Sequence, residues 1–259
     1  GSTTALINVF TNLFIGISLG ANVLAARYYA LEKSKEMSET VHTAIAFALI
    51  SGVGMAVIGL LMAKPALELM GTPDDVIAKS TLYMRIYFCG MPFFMLYNYG
   101  AAILRAVGDT KRPLIFLLIS GVINAILNLF LVIQFHLDVA RVGIATVISQ
   151  LISCILVLRC LYCSESSYQF RPEKLNIRSS YLRQIFEVGI PAGIQSTVIN
   201  LSNAMLQSSV NSFGSISMAG YTAANNIFGF LYVSVNSVTQ ACMSFTSQNY
   251  GVKKLKRMD

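Results

Sequence analysis

Amides and hydroxyls recur at helical spacing inside stretches of this chain that carry no charge. Ser196, Asn200, Asn203, Gln207 and Asn211 follow at steps of four, three, four and four residues. At 3.6 residues per turn they share one narrow helix face. Asn225, Gly229, Tyr232, Asn236 and Gln240 repeat the pattern. Shorter stripes are Gly121, Asn124, Asn128, then Thr146, Gln150, Ser153, and Asn8, Thr11, Ser18, Asn22. Gln195 is a further amide beside the first stripe. Asn and Gln donate and accept hydrogen bonds without changing charge. Such rows suit reversible binding of a polar or cationic solute rather than bond making. No nucleophile–base pair or metal-ligand cluster stands beside them, so the chain does not read as an enzyme and no cofactor is expected.

The elements that must carry these stripes are membrane spans. Residues 1–26, 40–63, 86–104, 113–137, 142–158 and 188–252 contain no Asp, Glu, Lys or Arg. A bilayer-spanning helix needs about 20 mostly apolar residues. The first five stretches each fit one helix. The sixth fits two, split at Ser212-Phe213-Gly214-Ser215. The expected fold is therefore all-α and polytopic, with seven spans at about residues 5–26, 41–62, 81–104, 113–135, 142–161, 185–211 and 219–246. Pro92 should kink the third, and Gly189-Ile190-Pro191 is a second bending point. Lys64-Pro65 and Gly71–Asp75 are read as an outer loop, and His136–Arg141 as another. The longest polar connection, about 162–183, is the best boundary between domains. It divides the chain into residues 1–163, a loop at 164–183 and residues 184–259.

Composition agrees. Hydrophobic residues make up 55 % and charged residues 12 %, with a mean hydropathy of +0.63. Soluble domains carry about 25 % charged residues. A soluble helical core would need polar outer faces, which these stretches lack. The net charge of +7 is not a nucleic-acid signal, because the basic residues sort by side. If the loop after the first span is cytoplasmic, only Lys64, Lys79, Arg85 and Arg141 fall outside, and the other 15 of the 19 Lys and Arg fall inside. That satisfies the positive-inside rule, with the start of the chain outside and its end cytoplasmic. Gly1 is no initiator Met, and a span begins almost at once, so a longer parent protein is expected. Cys160-Leu-Tyr-Cys163 has redox or zinc spacing but no second pair, so packed or lipid-facing thiols are the default.

Polar groups inside a span are costly unless they face protein or water. One reading of the stripes is interhelical glue, at about 0.6–2 kcal/mol per hydrogen bond. The other is a shared hydrated cavity. Five spans with continuous rows favour the cavity. No carboxylate lies at mid-membrane depth. Glu187 is nearest, at the mouth of the sixth span, and reads as interfacial. Arg85 reads as an outer-boundary residue. A shift of 221 positions lays Arg27-Tyr28-Tyr29-Ala30 on Gln248-Asn249-Tyr250-Gly251, and Lys33, Lys35 and Met37 on Lys254, Lys256 and Met258. This suggests two similar halves, as in many transporters, with a substrate site between them.

Three segments resemble the multidrug and toxic compound extrusion (MATE) transporters. Arg105-Ala-Val-Gly108-Asp109-Thr110-Lys111-Arg-Pro113 resembles the inner turn after their fourth helix. Val142-Gly143-Ile-Ala145-Thr146-Val-Ile148-Ser149-Gln150 resembles the start of their sixth, and Val188-Gly189-Ile190-Pro191-Ala192-Gly193-Ile194-Gln195 that of their seventh. The resemblance covers the whole chain, as helices two to eight of a twelve-helix protein with two six-helix lobes. It implies a monomeric exporter in the inner or plasma membrane. A proton or sodium gradient would drive amphipathic, often cationic, organic compounds outward by alternating access. It matches the family's N-lobe polar network to Asn124, Asn128 and Thr146, with Asn128 where the family has Asp. Asn128 cannot take over that acid's protonation role. The family's acid on helix one lies outside the chain. Ile199-Asn200 stand where some members carry a Glu. Gln150, Gln195, Asn200, Asn203, Gln207, Asn225, Tyr232 and Asn236 complete the expected cavity, with Phe228 and nearby Met residues offering apolar and cation–π surface. One rival is a lipid-linked saccharide flippase of the same superfamily, which would call for mid-membrane cations that this chain lacks. Another is a seven-helix receptor, which leaves the repeat and the three motifs without a place.

Overall fold

Among the described residues the fold is a bundle of eight α-helices with short connections, as seen in a computed structural model. The structure describes residues 2–69, 74–135, 140–211, 215–254 and 256, some of them through the backbone alone. The expected turn at 212–214 and most of the two outer loops (70–73 and 136–139) lie outside the described residues. In chain order the helices are α1 Ser2–Ala30, α2 Ser34–Leu69, α3 Asp74–Cys89, α4 Met91–Ala106, α5 Lys111–Phe135, α6 Ala140–Tyr162, α7 Ser179–Asn211 and α8 Ser215–Gly251. A single 3-10 turn, Pro172–Lys174, interrupts the connector between α6 and α7.

The charge-free stretches became helices, with three instructive differences. The expected third span is broken into α3 and α4, of 16 residues each. Pro92, at the first turn of α4, has no N–H to donate, and Gly90 closes α3 through its N–H to the Tyr87 carbonyl (3.0 Å). A Cβ on Gly90 would run into the Gln150 amide oxygen. The expected outer loop at Lys64-Pro65 is instead the last turns of α2. A Lys64–Glu68 pair at 3.7 Å spans that end, and a helix tolerates the lost Pro65 hydrogen bond within a bundle. Finally, α7 begins at Ser179, so the connector is shorter than its polar composition suggested. Among the described residues four helices are long and apolar enough, each by itself, to cross a membrane: α1, α2, α5 and α6. The halves α3 and α4 are too short singly. The long α7 and α8 are diluted by their amides and hydroxyls.

Packing centres on α1, which lies against α7, α4, α8 and α2. Its inner face is small: Ala21, Ala25 and Ala26 are fully buried, as are Ala44 and Ala48 on α2 and Ala102 and Ala106 on α4. Small residues let helix backbones approach where lipid offers no hydrophobic drive. Met91, Met95, Tyr99, Phe88 and Ile103 fill the remaining core. The outside of α5 is the reverse of a soluble surface. Leu114, Leu118, Val122, Ile126 and Leu129 are all more than half exposed, which suits hydrocarbon and not water.

Candidate functional site

Two polar arrangements stand out, one within the first five spans and one between them and α8. The first is the network that the sequence grouped. Asn124 donates to Ser149 Oγ (3.3 Å), and Asn128 donates to both the Asn124 carbonyl (3.0 Å) and its side-chain oxygen (3.1 Å). Ser149 donates back to the Thr146 carbonyl (2.8 Å), and Thr146 to that of Val142 (2.7 Å). The α5–α6 pair therefore holds Asn124, Asn128, Ser149 and Thr146 in one chain of contacts. Gln150 follows Ser149 on α6, with its amide oxygen buried and unpartnered among the described residues. An orphaned buried acceptor is a place where a donor fits.

The stripes of the second half are placed differently. Asn200 donates within its own helix, to the Ser196 carbonyl (2.8 Å). Gln195, Asn203, Asn225, Tyr232 and Asn236 are exposed. The Gln207 and Asn211 side chains lie outside the described residues. Among the described residues, α7 and α8 pack on α1, α2 and each other rather than extensively on α5 or α6. The Asn124–Thr146 network and the α7–α8 stripes are thus not in contact.

The second arrangement was not expected as a site. The α8 stripe continues past Gln240, through Ser244, Ser247, Gln248 and Gly251. There it seals against α1 and α4. Ser244 donates to Asn22 Oδ1 (3.0 Å), while Asn22 donates to the Ala102 carbonyl (2.8 Å). Ser247 donates to the Val23 carbonyl (2.6 Å) and Gln248 to that of Ala106 (2.6 Å). Asn22 is 4 % exposed. Nearer the other end of the same α8 face, Tyr232 is 50 % exposed. Ile227, Val233, Val235 and Val238, on the other faces of α8, are more exposed still, so what distinguishes the polar row is its hydrogen-bonded C-terminal end.

The α1–α7 crossing supports the same seam with glycine. Gly16-x-x-x-Gly20 on α1 meets Gly189-x-x-x-Gly193 on α7. A Cβ on Gly189 would lie 2.6 Å from the Ile17 Cα, and one on Gly193 2.7 Å from the Leu13 carbonyl. Neither contact can yield, because backbone stands on both sides. The α7 stripe extends this same row, so it too begins on the face that α1 covers.

The internal repeat has a structural counterpart. α1 and α8 end alike, in a left-handed residue that is not glycine: Glu32 at φ 56° and Lys253 at φ 57°. The two residues are 221 positions apart in the sequence. The N–H groups of Leu31, Glu32 and Lys33 bond the Arg27, Tyr29 and Tyr28 carbonyls, and those of Val252, Lys253 and Lys254 bond the Gln248, Tyr250 and Asn249 carbonyls. Both ends form the Schellman closure that satisfies the last carbonyls of a helix. The two ends also touch: a Cβ on Gly251 would lie 3.3 Å from Arg27 Cγ.

The remaining charged groups stay at the edges. Glu187 pairs with Arg183 (3.0 Å) and is exposed, and Arg85 is exposed. The turn at 105–113 is built by Gly108 at φ 89° and by Asp109. Asp109 accepts from the Arg112 N–H (3.2 Å), while Arg112 reaches the Cys160 thiol at 3.4 Å. Among the described residues no three His, Cys, Asp or Glu side chains gather as a metal site.

Known proteins share this architecture. The probable multidrug resistance protein YoeA of Bacillus subtilis is 31 % identical over 253 residues, which cover 94 % of this chain and 54 % of the relative. The multidrug export protein MepA of Staphylococcus aureus is 22 % identical, over 96 % of this chain and 54 % of its own length. The chain thus spans about half the length of the curated relatives it matches. Among solved structures, a mutant of the Vibrio cholerae MATE transporter VcmN superposes with a TM-score of 0.89 at 20 % identity, covering 99 % of this chain and 58 % of that one. The MatE family model matches residues 1–130 and 191–259. This all-helical, polytopic membrane chain belongs to the MatE family of multidrug and toxic compound extrusion transporters.

Proposed function

We propose that the intact protein exports amphipathic, often cationic, organic compounds across the inner membrane by alternating access. The observation that supports this is the row of side-chain hydrogen bonds by which the polar face of α8 closes on α1 and α4. Side-chain hydrogen bonds between packed helices can be broken and remade, as a two-state pathway requires. Helices α1 and α8, which end in the same geometry 221 residues apart, support two related lobes meeting at this seam. The N-lobe would comprise residues 1–163, with the C-lobe beginning near residue 184.

In this reading Asn124, Asn128, Thr146 and Gln150 form the N-lobe polar surface. Gln195, Asn200, Asn203, Gln207, Asn225, Tyr232 and Asn236 line the C-lobe side. Uncharged amides hold a cation by dipoles, and Tyr232 adds a ring face. The lining carries no fixed positive charge, which disfavours the pyrophosphate of a saccharide carrier. Export is driven by a proton or sodium gradient, with the coupling acid outside these spans. The connector side is cytoplasmic by the distribution of Lys and Arg, the bilayer is the partner, and the protein works as a monomer without a cofactor.

The test is export of a fluorescent organic cation from cells expressing the intact protein. Asn124→Ala with Asn128→Ala should lower export severalfold at equal membrane expression. Unchanged export would sink the N-lobe surface. Collapsing the proton gradient and the sodium gradient separately, in vesicles, identifies the driving ion. Export that persists with neither gradient would remove the antiport reading.

A further inference from the structure

The connector between α6 and α7 is docked on the start of α2, and the dock encloses polar space. His42, 2 % exposed, accepts the Arg171 backbone N–H at Nε2 (3.1 Å), so its proton sits on Nδ1 and faces the Ser38 carbonyl (2.7 Å). The Arg178 N–H bonds Thr43 Oγ1 (3.3 Å), and its guanidinium pairs with Glu39 (3.1 Å). Phe170 packs on the His42 ring at 5.7 Å. The connector backbone is therefore pinned on both sides of the 3-10 turn.

Two adjoining cavities lie between these pins. The smaller, about 210 Å³, is lined by Ser34, Ser38, Ser167, Arg171 and Lys174, among other polar side chains, and by no carboxylate. The larger, about 650 Å³, shares Ser34, Ser38 and Lys174 and adds Lys35, with Glu39 and Glu173 on its wall. Glu39 is already neutralised by Arg178. Among the described residues, Lys35, Arg171 and Lys174 make no ion pair, whereas the neighbouring Lys33 pairs with Glu36 at 3.7 Å. Arg171 commits only Nε, to Gln169 Oε1 (3.1 Å), which leaves the outer fork of its guanidinium. Hydroxyls, a guanidinium fork and an ammonium around a hole without carboxylates match the oxygens of a phosphate group.

We propose that this pocket binds a phosphate group, clamping the connector to the start of α2. The group belongs either to a lipid headgroup, because the pocket lies at the end of a bundle whose sides face hydrocarbon, or to a soluble phosphate. Since the connector joins the two lobes, occupancy would tighten the joint between them.

The experiment follows amide hydrogen exchange of residues 163–178 in the intact protein. One arm compares phosphatidylcholine vesicles with and without phosphatidic acid. The other compares inorganic phosphate with chloride at equal ionic strength, in detergent. The variant is Arg171→Gln with Lys174→Gln, whose exposed side chains leave the backbone pins in place. Lys111→Gln serves as the control for general loss of positive charge. Protection by phosphatidic acid alone, weakened about tenfold or more in apparent affinity in the double variant but not in the control, identifies a lipid phosphate. The same pattern with inorganic phosphate identifies a soluble one. Protection by neither probe, or a double variant that responds like the unmodified protein, overturns the proposal.

Discussion

Asn22 is the residue on which the seam turns, because one amide serves three helices. It donates to α4 at Ala102 and accepts from α8 at Ser244. Removing it takes the acceptor from the part-buried Ser244 hydroxyl and a second donor from the Ala102 carbonyl. Asn22→Ala should therefore destabilise the intact protein by about 1–2 kcal/mol, near the upper end for membrane hydrogen bonds, read as a lower thermal midpoint in detergent. Ser202→Ala is the comparison, because Ser202 donates within its own helix (3.0 Å to Val198) and should change little. At this scale the sequence was partly legible. Asn22, Asn124 and Asn128 were marked by their spacing, since an amide in an uncharged span is conspicuous. Ser244, Ser247 and Gln248 stand on the same α8 row as Gln240, but spacing alone does not show that this end of the row meets α1 and α4. His42 passed unmarked too: only the fold brings Arg171, 129 positions away, to its ring.

The helices themselves were the most legible feature, for a simple electrostatic reason. Charges are excluded from hydrocarbon, so their absence over about 20 residues marks a span with little help from propensity. What charge cannot mark is a break inside a span. The gap between α3 and α4 depends on Gly90 being small enough to lie against Gln150, and the sequence offered only Pro92 as a hint. Nor does a sequence say which helices touch. Gly16-x-x-x-Gly20 and Gly189-x-x-x-Gly193 are both visible as small-residue pairs, yet their mutual contact between distant parts of the chain is tertiary. The consequence is testable. Gly189→Leu should abolish accumulation of folded protein, because the side chain would meet the Ile17 backbone. Gly54→Ala should leave expression intact, since nothing lies within 4 Å of the added Cβ. It should even add about 0.5–1 kcal/mol through helix propensity. Equal expression of the two variants, measured by detergent-solubilised size exclusion, would contradict the close crossing.

At the scale of the whole molecule the repeat bears on the proposed mechanism. A sequence shift of 221 positions looked weak as a row of identities. In the structure both helix ends close with the same pattern of three hydrogen bonds and a left-handed non-glycine residue, Glu32 and Lys253. The seam must open for solute to enter from the connector side, if alternating access is right.

That claim is tested most directly by a reversible lock across the seam. Arg27 and Gly251 face each other closely: a Cβ on Gly251 would stand 3.3 Å from the Arg27 Cγ and 3.6 Å from its Cα, and a disulfide needs its two Cβ atoms about 3.5–4.5 Å apart. The measurement is export of a fluorescent cation by the intact protein carrying Arg27→Cys and Gly251→Cys, with its five native cysteines replaced. Oxidation should stop export and reduction should restore it, while each single cysteine variant exports under both conditions. A fully cross-linked protein that exports at the reduced rate would show that α1 and α8 need not part, and would contradict the account.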